Sequence, residues 1–132
     1  MANRDLLRNT LVTQSLSPAA RTNGTATGAA VDLRGFDGAM ITVSFGTWTD
    51  GTHTPSLNHS VDGVSYAACA ASDLDNAFTA VSSGAGSNTI QQVGYIGSRR
   101  FVQVVMVTSG ATTGAVSQAS VIAGYPGNAP TQ

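Results

Sequence analysis

The stretch Leu57–Ala68, LNHSVDGVSYAA, holds two short alternating runs on either side of Asp62-Gly63. Asp-Gly in that position reads as a two-residue type I′ β-hairpin, because both central residues of such a turn need positive φ. The turn sets a register in which Val61 faces Val64, His59 faces Tyr66 and Leu57 faces Ala68, with Asn58 and Ser60 on the other side.

The same alternation recurs on both sides of this hairpin. Ala39–Gly46 carries Ile41, Val43 and Phe45 between Met40, Thr42 and Ser44, a half-buried strand opened by the Asp37-Gly38 turn. Phe101–Thr108 is the most hydrophobic run, with Val102, Val104 and Met106 on one face and Phe101, Val105 and Val107 on the other. Apolarity on both faces belongs to a central strand, or to one that keeps a face for a partner. Leu11–Leu16, Thr25–Leu33, Ile90–Tyr95 and Gly114–Gly124 read as further strands, punctuated by Pro18, Asn23-Gly24, Arg34-Gly35 and Ser109–Thr113. Thr47–Pro55, with Trp48, Asp50-Gly51 and Pro55, reads as a loop, and Val81–Thr89 as an exposed one. The helix-like signal is confined to Ser72–Ala80, where Ser72 is placed to cap a turn carrying Asp73, with Leu74 and Phe78 four apart.

About seven or eight short strands, with turn signals about every ten residues, predict an all-β fold: a two-sheet antiparallel β-sandwich with at most one short helix. The jelly roll is the commonest such sandwich in assemblies. Residues 1–10 read as an extended N-terminal arm, 11–127 as the sandwich domain and 128–132 as a C-terminal tail. The arm is either a frayed terminus or a segment that orders against a neighbouring subunit.

Composition narrows the function. Of 132 residues only 10% are charged, with no Lys or Glu, and six Arg stand against seven Asp for a net charge of −1. A charge-steered nucleic-acid or membrane surface is therefore not expected. No apolar run approaches the about 18 residues of a membrane span, and Arg4, Asp5 and Arg8 occupy the place of a signal peptide's apolar stretch, so an unexported chain is expected. The single Cys69 cannot make an internal disulfide.

No catalytic constellation is complete. His53 and His59, six residues apart, would stand roughly 20 Å from each other on one strand, too far to share a metal. His59 is better read as a packed or hydrogen-bonded partner of Tyr66. Cys69 lies in Ala67–Ala71 without an enzyme context and reads as a small buried hydrophobe. Asp37, Asp50 and Asp62 each precede Gly and are explained as turn formers. Asp73-x-Asp75-Asn76 resembles the start of a calcium loop but lacks the following Gly and the distant Glu. The glycines fit no P-loop or Rossmann pattern. No cofactor or metal is expected. Arg99-Arg100, the one adjacent basic pair, is either a grip for an acidic partner loop or a solvated turn. Trp48 is either a contact anchor or a core residue.

The stretch VDLRGFDGAMITVSFGTWTDGTHTPSLNHSVDG, with VGYIGSRRFVQVV and SGATTG, resembles the small structural proteins of tailed-phage head gene clusters, in particular the jelly-roll cement, or decoration, proteins of short-tailed phage heads. The resemblance covers Val31 to Gly127 and rests on turn and strand residues. It implies a non-enzymatic protein, made in the bacterial cytoplasm, that binds the outer surface of an assembled virion capsid where major capsid subunits meet. It also implies a dimer or trimer. The residues expected at capsid or subunit interfaces are Arg4, Leu6, Leu7, Arg8, Trp48, Arg99 and Arg100. The competing reading is a carbohydrate-binding or tail-associated adhesin, with Trp48 and Tyr66 or Tyr95 stacking on sugar rings.

Overall fold

The computed structural model of the protein describes residues 6–126, so Arg4 and the tail 128–132 lie outside the described residues. One helical turn, α1 (Leu6–Asn9), leads into β1 (Thr10–Arg21), β2 (Gly24–Thr27), β3 (Val31–Asp32), β4 (Phe36–Trp48) and β5 (Thr52–Ser60). The chain continues through β6 (Ala67–Ala68), β7 (Leu74–Asp75), β8 (Thr89–Tyr95), β9 (Phe101–Ser109) and β10 (Ala115–Pro126). The strands pair antiparallel in two sheets, ordered β1-β10-β4-β8-β7 and β2-β9-β5-β6, with β3 also on β9. The expected all-β sandwich, jelly-roll-like and with one short helix, is the observed fold.

Period-two patterning builds the core. Ile41, Val43 and Phe45 of β4, with Ala119, Val121 and Ala123 of β10, meet Leu57 of β5 and Val102, Val104 and Met106 of β9. Strand β9 is central in its sheet, flanked by β2 and β3 on one side and β5 on the other. Its second face is divided: Val105 is buried and Val107 is exposed.

Several local expectations are corrected. The hairpin register is one residue off, for β5 pairs β6 through Asn58↔Ala68 and His59↔Ala67. Side chains compete with the ladder here. The Asp62 carboxylate accepts the N–H groups of Val64 and Ser65 at 2.9 and 3.0 Å, and the Ser60 hydroxyl accepts that of Gly63 at 2.9 Å. These bonds widen the turn into a loop from Val61 to Tyr66, and Val61 and Val64 are exposed rather than paired. Only the positive φ of Gly63, 78°, survives from the type I′ reading. Tyr66 consequently does not face His59.

Thr47–Pro55 is not one loop: β4 runs on through Trp48, and Pro55 lies inside β5 opposite Met106. Pro55 fits because His53 and Leu57, two residues either side, direct backbone groups to Val81 and Cys69 rather than to β9, so the missing N–H costs no ladder bond. Pro18 also sits within β1, on an edge strand and inside the register break between Leu16 and Ala19. Thr25–Leu33 is split into β2 and β3 where Gly28 and Ala29 bond to Val104 and Ser15. The helix expected over Ser72–Ala80 is a single 3₁₀ turn, Ala71–Asp73, because Leu74 and Asp75 pair with Tyr95 and Gly94 instead.

Candidate partner-binding end of the sandwich

Register places the interface residues expected from sequence. Thr10 lies opposite Gly124, and Gly124 opposite Gly38, so α1 and the start of β4 share one end, about 10 Å apart over two strand spacings. Ala39 pairs Tyr95, which brings the β8–β9 turn with Arg99 and Arg100 to that same end. Leu6, Leu7 and Arg8 are all exposed there. Trp48 pairs Ala115 at the opposite end, nine residues beyond Ala39 along β4 or roughly 30 Å. The structure therefore unites Leu6, Leu7, Arg8, Arg99 and Arg100 and sets Trp48 apart. The Trp48 indole donates to the carbonyl of Gly51 at 2.9 Å and packs, half-buried, on the core.

Between the β3–β4 and β8–β9 turns lies a cleft of about 310 Å³, lined among others by Arg34, Asp37, Tyr95, Arg99 and Arg100. The two neighbouring arginines of sequence have different environments. Arg100 makes a bidentate pair with Asp32, Nε to Oδ1 at 2.8 Å and Nη2 to Oδ2 at 2.7 Å, and lies 4.8 Å over the Phe101 ring. That pairing holds the Asp32 carboxyl down at about 2. Arg100 is thereby committed within the chain. Arg99 is fixed only through its backbone, whose N–H donates to the Tyr95 hydroxyl at 3.0 Å. Arg34 is fixed the same way, its N–H donating to Asp32 Oδ1 at 3.0 Å. Among the described residues neither guanidinium has an ion-pair partner. Two guanidinium groups from different turns, neither in an ion pair, thus line one cleft together with the Asp37 carboxylate, and the Arg34 charge also helps hold Asp32 down. Arg34 was not singled out from sequence, where Arg34-Gly35 reads only as a turn; the signal is a lone Arg beside a Gly, here at φ 92°.

The groups with chemical potential are engaged in structure. His53 is buried, with Nδ1 3.0 Å from the Thr108 hydroxyl and Nε2 3.0 Å from the Asp50 carbonyl. His59 Nδ1 bonds the Tyr95 hydroxyl at 2.9 Å, which replaces the expected Tyr66 partner. Burial lowers the His59 pKa and raises that of Tyr95. Burial, then the Asp73 charge, pushes the Cys69 thiol up to about 11, the reverse of an activated nucleophile. Asp73 accepts the Ala70 N–H and Asn76 donates to the Gln92 carbonyl, so neither follows a calcium-loop pattern. Among the described residues no group of three or more His, Cys, Asp or Glu is placed to hold a metal. No helix of the described residues is long and apolar enough to cross a membrane. As a sugar platform Tyr95 is unsuited, for its ring is buried and stands at the other end from Trp48.

No protein-family model and no curated protein matches the sequence. Among solved structures, a chain of infectious bursal disease virus Gx strain superposes with a TM-score of 0.50 at 11% identity, over 91% of this chain and 33% of its own length. The protein is thus a β-sandwich similar in fold to a chain of that virus structure, and it spans about a third of that chain.

Proposed function

We propose that the protein is a non-enzymatic structural component of a virion, a cement protein that binds the outer surface of an assembled phage head. On this reading it bridges neighbouring major capsid subunits. The observation that carries it is the likeness in fold of 91% of the chain to a chain of a virus structure; the phage resemblance of Val31 to Gly127 supplies the finer attribution. The end bearing Leu6, Leu7, Arg8, Arg34 and Arg99 is the proposed capsid-facing surface, with the chain acting as a homo-oligomer. No nucleic acid or membrane is among its proposed partners. A clamp of this kind draws strength from repetition: the second contact of each copy is intramolecular, and avidity of about 10²–10⁴ follows without a new kind of bond.

Co-sedimentation with shells of the cognate major capsid protein, beside gel filtration with unassembled subunits, tests the reading. The expected result is binding to shells, little binding to free subunits, and shells that resist heating longer when decorated. Binding to free subunits without protection would mean an assembly factor, and binding to glycans but not shells an adhesin.

A further inference from the structure

The four sheet edges are treated differently. β6 and β7 have two residues each and β2 has four, lengths that offer little to a foreign strand. Beyond β7 the outer side of β8 is taken up by Gln91, which exchanges hydrogen bonds with the Thr79 backbone, and by Asn76, which donates to the Gln92 carbonyl. The fourth edge is β1, with twelve residues. Its second half is blunted: the register breaks at Gln14/Leu16 and Leu16/Ala19, Pro18 lacks a donor, and Ser15 is bonded to Ala29 and Val104 of the other sheet. Its first half is not. Thr10–Gln14 pairs regularly with β10, carries no charge, Pro or bulge, and has no strand on its outer side among the described residues. Leu11 and Val12 within it are 49% and 63% exposed.

We infer that this open segment is a self-association site, at which β1 of a second copy pairs antiparallel and joins the two β1-containing sheets into one. A two-fold axis perpendicular to a sheet keeps each side chain on its own face only if the pairing is centred on a residue. Val12 is the centre of Thr10–Gln14. Centring there puts Val12 against Val12 of the second copy, Leu11 against Thr13, and Thr10 against Gln14, so all five residues pair and no charge is buried. A second copy fits this edge because it brings the same uncharged, unbroken five-residue strand and the same outer-face row. Val12 lies opposite Ile122, and Ile122 opposite Met40, forming an apolar row on the outer face that stops at the open edge. The two-fold joins that row to its own copy, Met40–Ile122–Val12 meeting Val12–Ile122–Met40, the cross-strand arrangement that stabilises sheets. The site locates the homo-oligomer contact of the proposed function, but it is tested on the isolated protein and stands or falls without any shell.

Sedimentation equilibrium over a dilution series should show a monomer–dimer equilibrium, and Val12→Lys should raise the dissociation constant at least tenfold while leaving unchanged the melting temperature measured at dilution where both proteins are monomers. Val12→Cys, oxidised at a concentration where the dimer is populated, should give a disulfide-linked dimer in good yield. Val116→Cys, on the same sheet face but toward the far end of β10, should not. A strict monomer at all concentrations, a dimer indifferent to Val12→Lys, or equal cross-linking at both positions would each overturn the inference.

Discussion

The Tyr95 hydroxyl stands 2.9 Å from Nδ1 of His59 and so ties β8 of one sheet to β5 of the other through the interior. The same oxygen accepts the N–H of Arg99 at 3.0 Å. The hydroxyl also has one proton to donate, which Nδ1 accepts in the neutral tautomer that carries its own proton on Nε2. Burial favours the neutral form of both rings, as this arrangement requires. Tyr95→Phe strands an imidazole nitrogen and a backbone N–H together. A loss of about 1–3 kcal/mol is expected in urea unfolding, with faster amide exchange at Arg99; an unchanged midpoint would show that the link carries no stability.

Two glycines of the same backbone type should respond differently to alanine. Gly114 has φ 83°, and a Cβ there would stand 1.7 Å from the Arg21 carbonyl oxygen, a backbone atom. Gly63 has φ 78°, but its Cβ would meet only the edge of the Phe101 ring at 3.2 Å. Gly63→Ala is expected to cost about 1 kcal/mol from the positive φ alone. Gly114→Ala is expected to cost roughly 3 kcal/mol or more. Thermal melts rank them, and the reverse order would contradict the geometry.

Acid should unfold the protein through its capped carboxylates. Asp62, held by the Val64 and Ser65 N–H groups, and Asp32, held by Arg100, are both lowered to about 2. Their folded values lie below those of the unfolded chain, near 4. Each therefore contributes stability that is fully present above about pH 4 and is lost as pH falls toward 2. Asp62→Asn should make the melting temperature less pH-dependent across that window; an identical slope would remove Asp62 from the account.

Cys69 should react slowly. With its thiol at about 11, roughly a hundredfold less thiolate is present at pH 8 than for a free cysteine. Ellman's reagent should label the native protein far more slowly than the urea-unfolded chain, and equal rates would contradict the half-buried environment of the thiol.

Strand identity was legible where side chains alternate, as in Ile41-Thr42-Val43-Ser44-Phe45, because burial on one face imposes that period, and in β9 from a short apolar run on both faces. Register was legible only where nothing local competed. At Asp62 a short carboxylate captured two backbone N–H groups, and the expected hairpin became a wider loop with its partners shifted by one. Prolines misled for the opposite reason: Pro18 and Pro55 read as breaks, yet both sit in strands, Pro55 where the missing donor faces away from the ladder and Pro18 inside a register break of an edge strand. The candidate site was half legible. Arg99 and Arg100 stand out as a dipeptide, whereas the grouping of Arg99 with Arg34 depends on two turns distant in sequence and on Asp32 claiming Arg100.

The pairing of β1 with β10, Thr10 against Gly124 through Arg21 against Ala115, has a consequence for how the molecule is made. Strand β10 also separates β1 from β4 in its sheet. During synthesis β1 must therefore wait, unzipped, for β10 to leave the ribosome, and closing so large a loop is entropically slow. Throughout that interval the nascent chain presents Leu11, Val12 and Leu16 without a companion. The absence of charge that makes the finished edge adhesive leaves the waiting strand exposed to aggregation, so yield should be most sensitive to expression rate and temperature, more than to the stability of the finished fold.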